Sequence, residues 1–136
     1  MLDPEETLKE LTKILEELSS RAPEQVILIE GQKDRAALSL LGVGGEVWQV
    51  HGPNSIFSLA ERLCTERKSA VILTDWDRKG GQLARLLRSA LVANDVGYDD
   101  NVRRRLVRLV KMEIKDIESL PAFFSRLVSL SHAPDF

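Results

Sequence analysis

At 136 residues, with 43% apolar and 29% charged side chains, the chain suits one core that buries roughly two-thirds of its unfolded surface, and this composition excludes disorder. Aromatic residues at 5% exclude a surface dominated by base stacking, and a formal net charge of −2 gives no overall signature of nucleic-acid binding. Cys64 is the single cysteine, so neither an internal disulfide framework nor a cysteine-built zinc site is available, and no apolar run approaches the ~20 residues that cross a bilayer. A soluble, cytoplasmic protein without a membrane partner is expected.

The first helix has Asp3 to cap it, Pro4 in its first position and Glu5 and Glu6 at the positive end of its dipole. Leu8, Leu11, Ile14, Leu15 and Leu18 form its apolar stripe. Val26 to Ile29 is apolar on both faces, as in a strand covered on both sides, and it ends in Glu30 and Gly31. A second helix is expected from Asp34 to Leu41 with Ala37, Leu38 and Leu41 inward and Gly42 as its stop. Glu46 to Val50 reads as a strand, His51 to Asn54 as a turn, and Ile56, Leu59, Ala60 and Leu63 as the buried face of a helix ending near Arg67. Trp48 and Cys64 read as core residues.

Val71 to Thr74 is a buried strand that feeds the charged turn Asp75 to Gly81. A helix from Gln82 to Ala93 follows, with Leu83, Leu86, Leu87 and Ala90 on one side. Asn94 to Asp100 breaks the pattern, Asp100 or Asn101 caps a helix through Val110, and Lys111 to Lys115 is assigned a short edge strand. A closing helix starts at Ser119 and Pro121 and buries Phe124, Leu127 and Val128. The alternation of strand and helix predicts an α/β fold: a mostly parallel sheet of about four strands with helices on both faces.

In such a sheet the strand ends gather Glu30 to Asp34, His51 to Ser55 and Asp75 to Gly81 on one rim, where open α/β sheets bind ligands. Glu30, Asp75 and Asp77 would repel one another unless a cation neutralised them, and Mg²⁺, or Mn²⁺ in its place, held by Asp75 and Asp77 resolves the conflict. Glu30 then shares the metal or transfers a proton, and Asp34 is either a further ligand or a helix cap. Gly31, Gly80 and Gly81 allow close backbone approach beside helix starts, while Lys33, Arg35, Arg78 and Lys79 bring positive charge to the same turns. Carboxylates for a metal with cations around them suit phosphate chemistry. Arg104 and Arg108, within the basic run Arg103 to Arg108, either grip phosphates or form a solvated helix face. Lys115 and Asp116 can approach from the carboxyl-terminal segment.

The sequences EGQKD at Glu30 to Asp34 and TDWDRKGG at Thr74 to Gly81 resemble the Toprim domain of bacterial primases, topoisomerases and the 5S ribosomal RNA maturation nuclease. The likeness spans about residues 25–96, flanked by an amino-terminal helix and a carboxyl-terminal helical extension, and the whole is similar to small stand-alone Toprim proteins of the primase-like or maturation-nuclease-like kind. That resemblance implies a single domain with a Rossmann-like Toprim fold, Glu30 as general acid or base, Asp75 and Asp77 as Mg²⁺ ligands, and Gly31 and Gly80 as motif glycines. Lys79 and Trp76 depart from the family pattern. A nuclease or RNA-processing enzyme acting on phosphodiester bonds of RNA or DNA is the implied activity. A non-catalytic metal- and nucleic-acid-binding module in a protein complex or homo-oligomer is the alternative, and a phosphatase using Asp75 and Asp77 as its DxD pair is the third reading.

Overall fold

Residues 25–29, the first strand β1 (Gln25–Ile29), show why the sheet needs two covers. Ile27 and Ile29 point into one core and Val26 and Leu28 into the other, all fully buried. A strand with no polar face is stable only between two helical layers. Residues 3–131 are described in this computed structural model.

The elements follow in the order α1 (Pro4–Ser19), β1, α2 (Gln32–Leu40), β2 (Val47–Gln49), α3 (Ile56–Thr65), β3 (Ser69–Ile72), α4 (Arg78–Ala93), β4 (Tyr98–Asp99), α5 (Asn101–Val110) and α6 (Leu120–Ser131). The strands pair in the order β2-β1-β3-β4, and every pairing is parallel. Helices α1, α2, α5 and α6 cover one face of the sheet through residues such as Leu11, Leu38, Leu106 and Phe123. Helices α3 and α4 cover the other through Ala60, Leu63, Leu87 and Leu91. The expected parallel sheet with helices on both faces is therefore present. Among the described residues no helix is long and apolar enough to cross a membrane.

Several local expectations are corrected. Helix α4 starts at Arg78, four residues before the expected Gln82, because the Asp77 side chain accepts from Gly80 N at 2.7 Å and caps it. Its inward face is Gly80, Leu83, Ala84, Leu87 and Leu91, with Ala90 partly buried against the same core, so of the expected face only Leu86 turns outward, 45% exposed. The fourth strand is Tyr98–Asp99, while Lys111 to Lys115 forms no strand. Two paired residues give no alternation to read, whereas Met112 and Ile114 mimic one. The buried stripe of α6 is Leu120, Phe123 and Leu127, with Phe124 only partly buried against it and Val128 half-buried. Cys64 is exposed and Trp48 half-buried, the latter lying on the edge strand β2 with Arg62 over its ring.

Candidate functional site

Strand β1 passes to β2 on one side and is flanked by β3 on the other, so the direction of winding reverses between β1 and β3. At such a switch point the two crossover helices diverge and leave a crevice beyond the carboxyl ends of the strands. Glu30 stands at the end of β1 and Asp75 just past β3, after Leu73 N has donated to Leu28 O at 3.0 Å. Glu30 Oε2 accepts from the Asp75 backbone N–H at 2.7 Å, so the two strand ends are tied by this side chain.

Helix α4 is pressed against this tie by Gly80. A Cβ at Gly80 would lie 1.9 Å from Asp75 O and 2.9 Å from Glu30 Oε2, so no residue with a side chain fits without moving backbone. The buried Thr74 hydroxyl donates to Gly80 O at 2.8 Å and closes the same junction. Gly81, by contrast, has open space where a side chain would stand.

Residues 114–118 form a clasp over the other side. Ile117 N donates to Asp75 Oδ1 at 3.0 Å, Trp76 Nε1 to Ile114 O at 2.6 Å, and Trp76 N to Lys115 O at 3.1 Å. The clasp brings Asp116 close enough that its charge acts on both Asp75 and Asp34. Asp34, buried in the first turn of α2, accepts from Gly31 N at 3.1 Å. Arg103 of α5 reaches beneath, donating from Nε to Thr74 O at 2.8 Å and from a terminal nitrogen to Asp75 O at 2.6 Å.

Burial pushes the Asp75 carboxyl up to about 7, opposed by the Ile117 N–H and reinforced by the charges of Asp34, Glu30 and Asp116. Burial also raises Glu30, with the Asp75 N–H opposing it and Asp77 adding to the rise, while Lys79 pulls it down. Asp34 is raised by burial, with the Gly31 N–H opposing and Asp116 and Glu118 contributing. The carboxylates thus share a region in which their ionisation is mutually unfavourable.

In Glu30, Asp75 and Asp77 a backbone N–H fixes one carboxylate oxygen, and the other oxygen has no hydrogen-bond partner among the described residues. This all-oxygen donor set fits a hard cation such as Mg²⁺. Among the described residues no group of three or more His, Cys, Asp or Glu side chains is gathered closely enough to hold a metal ion. An open set is compatible with Mg²⁺, which commonly takes one or two carboxylates and keeps several waters.

The cations expected around the site divide. Lys79 acts electrostatically on Glu30, and Arg78 and Lys79 are exposed in the first turn of α4. Lys33 is 82% exposed and lies 3.8 Å from Glu118. Lys115 is exposed and contributes its backbone carbonyl to Trp76. Arg104 pairs with Asp100 on its own helix, and Arg108 lines the groove between α1, α5 and α6, which shares no residue with the carboxylate set. Gly31 is the N-cap of α2 in extended backbone, and Gly80 and Gly81 are helical rather than loop residues.

Comparison with known proteins supplies the family. A UPF0292 protein of Thermococcus sibiricus is 39% identical over 127 residues, covering 92% of this chain and 96% of that protein. UPF0292 proteins of Pyrococcus horikoshii and Methanosarcina barkeri are 37% and 34% identical over 131 and 122 residues, with coverage of 94% and 83% of their own lengths. The chain belongs to the UPF0292 family. A solved structure of a protein from Aquifex aeolicus superposes on this UPF0292 chain with a TM-score of 0.68 and 26% identity, covering 80% of this chain and 96% of that one. No family model matches.

Membership of UPF0292 corrects the Toprim resemblance and the primase-like and nuclease labels that came with it. The resemblance rested on two short motifs at strand ends. In this UPF0292 fold much of their content has local work: Asp77 caps α4, Asp34 closes a capping box on Gly31, and Gly80 admits the Asp75 carbonyl. Any parallel sheet with acidic strand ends and tightly docked helices calls for similar residues.

Two contributors are not marked by sequence position. Arg103 sits inside a basic run that reads as a surface. Its only signal is adjacency to the buried Val102, which rotates it toward the sheet while Arg104 turns out. The clasp residues Ile114 and Ile117 act through backbone groups, which no side-chain motif records.

Proposed function

We propose that this chain binds Mg²⁺ at Asp75 and Asp77, with Glu30 beside them, and acts on a phosphate ester of nucleic acid by phosphoryl transfer. One observation carries the reading: at the β1/β3 switch point three carboxylates are each held by a backbone N–H on one oxygen and present the other without a hydrogen-bond partner among the described residues. Fixed first-turn helix groups and lysine and arginine side chains lie beside them. A cation bound there would offset the repulsion among the acids and polarise a phosphoryl oxygen.

Asp75 and Asp77 are the holding groups, since their orientation is set by Ile117 N and Gly80 N respectively. Glu30 has a raised pKa and an oxygen without a donor among the described residues, which suits moving a proton at the reacting oxygen. Arg103 is a positioning residue: it anchors the Thr74 and Asp75 carbonyls, and its charge acts on Glu30 and Asp75. Calorimetry with Mg²⁺ tests the reading. The parent should bind, Asp75→Asn should bind at least tenfold more weakly, and Glu30→Gln should lose turnover of a nucleic-acid substrate while retaining the ion. No heat of binding in the parent would remove the proposal.

A further inference from the structure

One strand away from the carboxylates lies a second concavity of about 470 Å³, walled by the end of β2 and the first turns of α2 and α3. Its polar lining includes Gln32, Gln49, Arg35, His51 and Arg62, and it contains no carboxylate. Gln32 Nε2 donates to Gln49 Oε1 at 3.1 Å, which fixes the floor. Arg62 lies 3.9 Å above the Trp48 ring and is also bonded to Glu66 at 2.6 Å, so the indole face is already covered. Arg35 is exposed and has no ion pair among the described residues. Arg62 is thus already paired, and Arg35 is the lining cation left without an ion pair among the described residues, beside the polar side chains of Gln32 and His51. An anion with several acceptor oxygens suits that set of donors.

Its placement relates the pocket to the acids. Val50 N donates to Ile29 O at 2.7 Å, and Gln49 pairs with Ile29, the residue before Glu30. Adjacent strands are ~4.8 Å apart, so a chain of linked phosphates crossing the rim from Asp75 past Glu30 reaches this pocket next. We infer that the Arg35–His51–Arg62 pocket holds a backbone phosphate flanking the one at the carboxylates. The pocket thereby sets which part of a strand is presented. This deepens the phosphate-ester reading above and rests on it for the identity of the neighbouring phosphate, though not for the anion site itself.

The test uses the full chain in EDTA, which keeps the carboxylate site out of the measurement. The probes are a single-stranded oligonucleotide of ten thymidylates and, separately, inorganic phosphate, with the Trp48 indole N–H followed by NMR. The oligonucleotide should shift the Trp48 resonance and bind at least tenfold more tightly than inorganic phosphate. Arg35→Glu should weaken oligonucleotide binding at least tenfold and flatten its salt dependence by about one phosphate contact. The charge-matched control Lys9→Glu, on exposed α1, should do neither. An Arg35→Glu protein that binds the oligonucleotide like the Lys9→Glu protein, or a Trp48 signal that never moves, would overturn the inference. Saturation by inorganic phosphate with no response to the oligonucleotide would overturn the backbone source in favour of a small phosphorylated compound. Mg²⁺ calorimetry separates the two proposals: absence of Mg²⁺ binding alongside an intact Arg35 effect removes the metal reading alone. Mg²⁺ binding with a silent Arg35→Glu removes the pocket alone.

Discussion

Glu30 Oε2 accepts a hydrogen bond from the Asp75 backbone N–H at 2.7 Å, joining positions 45 residues apart. The same carboxylate therefore ties the ends of the sheet's two central strands together. Glu30→Gln retains an acceptor for that N–H and should keep the melting temperature within a few degrees of the parent, whereas Glu30→Ala orphans it. Loss of about 1–3 kcal/mol is expected for the alanine variant, measured by urea unfolding. Equal stability of the two variants would show that the bond contributes nothing.

Gly80 and Gly81 are neighbours in sequence with opposite requirements. Gly80→Ala drives a methyl into the Asp75 carbonyl and should cost about 3 kcal/mol as α4 shifts outward. Gly81→Ala meets open space on a helix and should stabilise by about 0.5–1 kcal/mol. Denaturant midpoints of the two variants check the pair, and a destabilising Gly81→Ala would mean that the α4 start is not helical as described.

The acids should make stability depend on pH in the direction opposite to that of a salt-bridged carboxylate. Burial pushes the Asp75 carboxyl up to about 7 in the folded chain, from an ordinary 3.8. Between those values the unfolded chain has released the proton that the folded chain keeps. Stability therefore falls as pH rises from about 4 to about 7 and levels off above it. Glu30 and Asp34, both raised by burial, add in the same direction. Thermal melts in EDTA across this range should show the decline, and Asp75→Asn should flatten it and melt higher than the parent at pH 8.

The clasp has its own readout. Trp76→Phe removes the indole donor to Ile114 O and should destabilise by about 1 kcal/mol. Because the 114–118 segment also delivers Ile117 N to Asp75, hydrogen exchange at Ile117 should quicken in this variant. Unchanged exchange would uncouple the clasp from the site.

Much of the architecture was legible because burial writes itself into sequence. Val26 to Ile29 and Val71 to Leu73 are continuous apolar runs, and only a two-sided parallel sheet covers such strands. The acidic rim was legible for the same reason: a carboxylate directly after a buried strand has one place to go. What escaped was set by tertiary contacts. Strand β4 is two residues long and is defined by Ala70 and Val71 rather than by its own pattern. The inward face of α4 starts at Gly80 because the glycine, not a leucine, meets Asp75. Arg103 and the clasp act by hydrogen bonds to backbone, which leave no periodicity. Two motifs at strand ends were enough to bring these acids to one rim but not to name the family, since capping and close packing ask for the same residues.

The claim that Asp75 and Asp77, with Glu30 beside them, form a cation site is tested most directly by anomalous diffraction from a crystal soaked in Mn²⁺. An anomalous peak within coordination distance of the free oxygens of Asp75 and Asp77, lost in Asp75→Asn crystals treated in the same way, is the expected result. Mn²⁺ density elsewhere on the chain with none beside Asp75 would contradict the account.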